Sequence, residues 1–396
     1  MPDTNYNNIK IGIVGLGLVA EPNLKGYRSH PNAEVVAVCD VDISEAKKFS
    51  KKHDIANVYS SYEEMLNSDI DVVNIATPTH LHAPMTMQAL NAEKHVHCEK
   101  PFCRYLSEGE RAIKEANKKK LKIFVGETYL FISSHIKAKK LIDDGMIGTP
   151  LQIRMRHGAW NEKPISRINT GPLNRDWRMD PYLSGGGKYP WIFDHAVHFF
   201  ATAEYFMQNK KINEVHAIKA HNTNDHSLAG AAHDPYITPV TDIPIITWNY
   251  EDKACQGLWC RAERLNGKWD FMQGFSTVVI GEFGMIEVLG EGGNNLIWNG
   301  EQQHLILHRE DKDPLCFRFE EGGDDIWESD ISYYCQGHKN QIHHFINSIV
   351  YGDQLKYSSE DALQAVRCTL AVIKSAEEGI PILVSSINNE YTAFNE

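Results

Sequence analysis

Apolar residues follow two different rhythms along this chain, and the change between them divides it. Through the first third, short runs rich in Val and Ile recur: IKIGIV (9–14), EVVAVCD (34–40), DVVNIA (71–76), HVHCE (95–99) and KIFVGE (122–127). Each is too short for a helix, and each is nearly continuous in its apolar character, the pattern of a strand buried on both faces. Between them lie helical stretches: one reaching about residue 30 before Pro31, one from Ser44, one opened by a Ser61-x-x-Glu64 capping box, one over about 82–92, and one with the box Ser107-x-x-Glu110. Strands alternating with helices predict a parallel, doubly wound α/β sheet. After Thr149-Pro150 that rhythm is lost. Strand-like runs then gather (LQIRMRH, EVHAIKA, PIITWNY, QGLWCRA, FSTVVIG, MIEVL), followed by two helices near 336–351 and 359–378. No internal repeat or low-complexity linker appears.

Length agrees with the division. At 396 residues two domains are expected, here 1–128 and 129–396, each able to bury its own core. Hydrophobic and charged contents of 42% and 23% are those of an ordinary globular protein. A formal charge of −12 argues against nucleic acid as a partner, because phosphate binding needs clustered cations. The densest basic run, Lys118-Lys119-Lys120 with Lys122, reads as the solvated end of a helix. The polar opening MPDTNYNNIK does not look like a targeting peptide, and no apolar run approaches the length of a membrane span. Eight scattered cysteines show neither Cys-x-x-Cys pairs nor zinc-knuckle spacing, so a reduced, cytoplasmic setting without a metal is expected.

The first run leads directly into Gly15-Leu16-Gly17-Leu18-Val19-Ala20, a Gly-x-Gly-x-x-Ala turn between strand and helix. Gly15 permits the tight turn, Gly17 lets backbone approach a diphosphate, and Ala20 allows close helix–strand packing. Leu18 and Val19 open the helix, whose free N–H groups favour phosphate. Asp40 ends the second run about twenty residues later, where a carboxylate holds the ribose hydroxyls of NAD and repels a 2′-phosphate. NAD is therefore expected over NADP, which stays possible; the competing reading of Asp40 is a turn cap. Ligands bind beyond the carboxyl ends of parallel strands, so Thr77, Pro78 and His82 after the third run, and Glu99 and Lys100 after the fourth, fall on the cofactor side.

One further segment stands out. WIFDHAVHFF (191–200) has the composition of a buried helix, yet carries Asp194, His195 and His198. Buried polar groups are usually hydrogen-bonded structure. On a helix, Asp194 and His198 share a face, while His195 leaves roughly 100° away.

The stretch VVNIATPTHLHAPMTMQALNAEKHVHCEKPF, with its Glu99-Lys100-Pro101 element, resembles the glucose–fructose oxidoreductase, inositol dehydrogenase and rhizopine-catabolism family (Gfo/Idh/MocA). LIDDGMIGTP, WRMDPYLSGGG, FDHAVHFF and SSEDALQAV continue the resemblance in the family's order over nearly the whole chain. It implies an N-terminal Rossmann domain, then a C-terminal α/β domain with a large, mainly antiparallel sheet whose open face packs against another subunit in a homodimer or homotetramer. Carried over by position, the catalytic residues are Lys100, Asp194 and His198, acting on a sugar or inositol-like polyol. Thr79 stands where the family has Asn, a departure from its Thr-Pro-Asn-x-x-His stretch.

Oxidation of a secondary alcohol needs a base of near-neutral pKa, which suits His198. Lys100 would steady the developing oxyanion, and Asp194 would position substrate or Lys100. His195 is expected to be mainly structural, with substrate contact as the alternative. Tyr129, just after GET, lies near the site or packs. Residues 158–190 combine Trp160, Trp177 and Arg178 with glycines, and rings beside planar donors suit a sugar. The polar loop 221–241 has the length of a functional loop without a recognisable metal spacing. Two other activities fit the same pattern: an NAD-dependent glycosidase, and a non-catalytic NAD- and sugar-binding regulator.

Overall fold

The computed structural model describes residues 8–157, 177, 180–219, 243, 245–261, 275–291, 304–319 and 333–394. The first five apolar runs all become strands: β1 (Ile9–Val14), β2 (Ala33–Cys39), β4 (Val72–Ile75), β5 (His95–Glu99) and β6 (Ile123–Gly126). A further short strand, β3 (Asn57–Tyr59), lies at the sheet edge. The six pair in parallel in the order β3-β2-β1-β4-β5-β6. The chain therefore reverses its direction of travel between β1 and β4, and the crevice beyond their carboxyl ends is where such sheets take ligands.

The intervening helices are α1 (Ala20–Arg28), α2 (Ile43–His53), α3 (Tyr62–Leu66), α4 (Thr79–Asn91) and α5 (Leu106–Lys119). Two boundaries depart from the sequence reading. Helix α4 starts at Thr79 rather than near His82, with Pro78 as its N-cap and Pro84 inside it. Helix α5 starts at Leu106 after Tyr105, which makes no side-chain cap, so Ser107 lies inside the helix rather than capping it. Leu106 is fully buried, and seating it in the core draws the cap position back by two residues, from Ser107 to Tyr105. At α3 the expected cap is present in one direction, with the Ser61 hydroxyl accepting from the Glu64 N–H at 3.3 Å.

Helix α6 (Ser133–Asp143) leads into β7 (Pro150–His157), and α7 (Pro181–Ser184) precedes α8 (Pro190–Phe206). Strands β8 (Ile212–Ile218), β9 (Ile245–Tyr250), β10 (Gln256–Arg261), β11 (Phe275–Gly281) and β12 (Gly284–Glu291) match the later runs. The sequence reading missed β13 (His304–Arg309) and β14 (Lys312–Arg318). Helices α9 (Tyr333–Val350) and α10 (Ser359–Glu378) follow, then β15 (Ile382–Leu383). Among the described residues, nine strands form one sheet in the order β14-β13-β12-β11-β7-β10-β9-β8-β15, antiparallel except where β10 meets β7.

One face of this sheet is apolar and covered. Ile153, Ile246, Trp248 and Trp259 are buried there, and α8 lies over it, stacking Phe199 on Trp259 with ring centroids 4.9 Å apart. The alternate positions, including Gln152, Arg154, Thr247 and Asn249, line a groove on the opposite face, as the period-two geometry of strands requires. Helix α9 returns to the first domain and packs on α1. Gly26 makes that approach possible, since a Cβ there would fall 2.6 Å from Ile342 Cδ1. No helix among the described residues is long and apolar enough to cross a membrane.

Candidate active site

The glycine turn after β1 is shaped as its residues suggest. Gly15 has φ +84°, and a Cβ there would lie 2.7 Å from the Ala76 carbonyl oxygen beyond β4. At Gly17 a Cβ would meet nothing within 4 Å. The turn thus presents bare backbone to open space at the head of the crevice, which fits an approaching diphosphate. Ala20 is fully buried against the sheet. Asp40, one residue past β2, accepts from the Leu16 N–H through Oδ2 at 2.9 Å and from the Asp42 N–H through Oδ1 at 3.0 Å. Its carboxylate stands beside the glycine turn and braces it.

The loops beyond β4 and β5 are joined by His82. This ring is buried, with Nε2 2.8 Å from the Thr77 carbonyl and Nδ1 2.7 Å from the Pro101 carbonyl. Burial pushes its pKa down to about 4, although both carbonyls favour the protonated ring. At neutral pH the desolvation cost wins, so the neutral ring donates from one nitrogen to one of the two carbonyls. The His82 ring thus sits between the loops that carry Thr77, Pro78 and Lys100, with a backbone carbonyl against each nitrogen. Glu99 is also buried, and Oε1 accepts from Asn23 Nδ2 of α1 at 3.1 Å. Its carboxyl is lifted to about 7, by burial first, with the nearby Glu127 charge acting in the same direction.

Lys100 extends from the end of β5 towards α8. Its Nζ donates to Asp194 Oδ1 at 3.0 Å and to the Asp194 backbone carbonyl at 2.8 Å, with both side chains largely buried. The pair spans residues that are 94 apart in sequence. One helical turn further, His198 Nδ1 lies 2.5 Å from Glu127 Oε1. The His198 side chain is 11% exposed and that of Glu127 1%. Tyr129 places its ring 4.6 Å from the His198 ring at an interplanar angle of 35°, and its N–H reaches Glu127 Oε1 at 3.4 Å. The polar residues of α8 thus face the parallel sheet, while its aromatic residues pack on the large one.

His195, expected to be mainly structural with substrate contact as the alternative, lies beside Asp194. Its side chain is 28% exposed, and Nδ1 lies 3.4 Å from Asp194 Oδ2. The Asp194 carboxylate therefore stands between Lys100 and His195. Of the aromatic and arginine candidates, Trp177 is partly buried; Trp160 and Arg178, like the loop 221–241, lie outside the described residues. Sequence reasoning missed Glu127. The signal that could have found it is the GET stretch at the carboxyl end of a parallel strand, the position where side chains reach the crevice.

Comparison with known proteins agrees with this geometry. Residues 9–127 match the oxidoreductase family GFO_IDH_MocA, described as an NAD-binding Rossmann fold, and residues 135–287 match the GFO/IDH/MocA C-terminal domain. The uncharacterized oxidoreductase YrbE of Bacillus subtilis is 26% identical over 95% of this chain and 96% of its own length. Inositol 2-dehydrogenase of Salmonella typhimurium is 34% identical over 41% of this chain and 49% of its own. Among solved structures, scyllo-inositol dehydrogenase of Lactobacillus casei with bound NAD(H) and scyllo-inositol superposes with a TM-score of 0.70 at 22% identity, over 96% of this chain and 100% of that one. With its Rossmann sheet, its large mixed sheet and both domain matches in order, the chain belongs to the GFO/IDH/MocA family of NAD-binding oxidoreductases.

Proposed function

We propose that the protein is an NAD-dependent dehydrogenase that oxidises a secondary alcohol of a sugar or inositol-like polyol, with Lys100, Asp194 and His198 at its catalytic centre. The observation that carries the reading is the Lys100–Asp194 ion pair, which joins the end of a cofactor-side strand to a helix bearing His198 one turn on. Residues Gly15 to Ala20 and Asp40 hold the dinucleotide, with Thr77 and Pro78 beside its nicotinamide end; the bound cofactor supplies the hydride acceptor. His198 takes the hydroxyl proton at Nε2, because Nδ1 is turned to Glu127. Lys100 donates to the same oxygen and steadies its growing negative charge. Asp194 keeps the ammonium in place and balances it. His195, Tyr129, Trp177, Trp160 and Arg178 serve substrate contact. Asp40 beside the turn supports NAD over NADP. The domain division at 128/129 and pairing of subunits through the open face of the large sheet belong to the same proposal, and the similarity to inositol 2-dehydrogenase and levoglucosan dehydrogenase supports a polyol or sugar substrate.

The test is a panel of aldoses, uronates and inositols with NAD and with NADP, followed through absorbance of the reduced cofactor. Net accumulation of NADH with at least one polyol is expected; a glycosidase that returns its hydride would give none. With that substrate, His198→Ala and Lys100→Ala should each lower kcat by roughly 10²–10⁴-fold, the range for losing a general base, while NAD still binds. A His198→Ala enzyme with undiminished kcat would remove histidine from the chemistry.

A further inference from the structure

We infer that Glu127 is the positioning residue of the catalytic base: it orients His198 through Nδ1, leaves Nε2 to the substrate, and stabilises the imidazolium formed when the proton arrives. The inference rests on the reading of His198 as the base.

Three observations carry it. The first is the 2.5 Å contact between His198 Nδ1 and Glu127 Oε1, made between a helix of the second domain and the strand end of the first. An imidazole with an acceptor at Nδ1 carries its proton there and offers Nε2 as the lone pair. The second is that Glu127 is 1% exposed, and that besides His198 its carboxylate accepts from the Tyr129 N–H at 3.4 Å, which fixes it at the end of β6. A buried carboxyl at contact distance favours an opposite charge beside it, and the reaction creates one in the imidazolium. The third is the second carboxylate, Glu99, in the same buried cluster. Its carboxyl is lifted to about 7 by burial, with Glu127 adding to the effect. Tyr129 flanks the ring at 4.6 Å and limits its rotation.

The charged and titratable groups around His198 come from every neighbouring element: Glu127 and Tyr129 beyond β6, Glu99 and Lys100 beyond β5, Asp194 on its own helix, and His338 on α9. Burial pushes the His338 pKa down to about 3, so it is neutral and contributes no competing positive charge at working pH. His338 donates or accepts within a neutral network with Asn23, Thr128 and Gln341.

The experiment compares Glu127→Gln, which keeps shape and hydrogen bonding but removes charge, with Glu127→Leu, which removes both. NAD dissociation constants and far-UV circular dichroism establish that each variant is folded. Both should lower kcat by about tenfold or more, with Leu the worse, and leave NAD affinity and KM within about twofold. The rising limb of kcat/KM against pH should move to lower pH by about one unit in Glu127→Gln, since an opposite charge at contact distance raises the proton affinity of its partner. A folded Glu127→Gln enzyme with wild-type kcat and an unmoved pH profile would overturn the inference while His198→Ala, still inactive, left the dehydrogenase reading intact. If His198→Ala were itself active, that reading would fail first.

Discussion

At position 17 a side chain would project into space that no atom of the protein fills, whereas at position 15 it would strike backbone. The two glycines of one turn therefore have different reasons to be glycine, and they separate by experiment. Gly17→Val should fold, because nothing within 4 Å resists the new atoms, and should lose most of its NAD affinity, by at least about tenfold, because the diphosphate must approach there. Equilibrium titration of NAD by intrinsic fluorescence, beside a thermal unfolding curve, reads both; unchanged affinity would move the dinucleotide away from this turn. The glycines and Asp40 were legible because they sit in a short motif whose spacing has a geometric meaning, whereas Lys100, Asp194 and His198 were reached through the resemblance to the family. Glu127 was not. Its importance depends on His198 arriving from 71 residues further along, and no local pattern encodes that meeting. Asn23 and His338, 315 residues apart, are a still longer example.

Elements were legible where burial and periodicity agreed. The five parallel strands were readable because both their faces are covered, so apolar residues run without interruption. By contrast, β14 has exposed residues over most of its length at the edge of the large sheet, and β3 is three residues long; neither leaves a periodic signal. Caps were legible only where core packing did not outvote them. Ser107 lost to the buried Leu106, whereas Ser358 forms a full capping box at α10: its hydroxyl accepts from the Asp361 N–H at 3.1 Å, and Asp361 Oδ2 accepts from the Ser358 N–H at 3.0 Å. Asp361 also pairs with Lys211 at 2.7 Å. Ser358→Ala should cost about 1 kcal/mol of stability, measured by urea unfolding, with catalysis unaffected because Ser358 bonds to the start of its own helix and to none of the proposed site residues. A variant as stable as wild type would mean that the Lys211–Asp361 pair alone holds the helix end.

Over the whole molecule, two of the junctions between the halves matter most: α8, with aromatic residues on the large sheet and polar residues towards the parallel one, and α9, which returns to cover α1. The first junction brings together the proposed catalytic groups from both halves, so neither half alone contains Lys100 and His198 in contact with their partners. The second has a consequence in time. Residues 1–128 leave the ribosome before residues 129–332 are made, and only then does α9 appear to bury Gly26 and satisfy Asn23. At ordinary elongation rates that interval is on the order of ten to forty seconds. Throughout it, the nascent first domain carries an uncovered apolar helix face and a buried amide without its histidine. A fragment of residues 1–128 made alone should therefore bind a hydrophobic dye, unfold at lower urea than the intact chain, and recruit chaperones that the finished protein does not. Cooperative unfolding of that fragment at the wild-type midpoint would show that the late-arriving helix adds nothing, and that the nascent domain is safe from the moment it emerges.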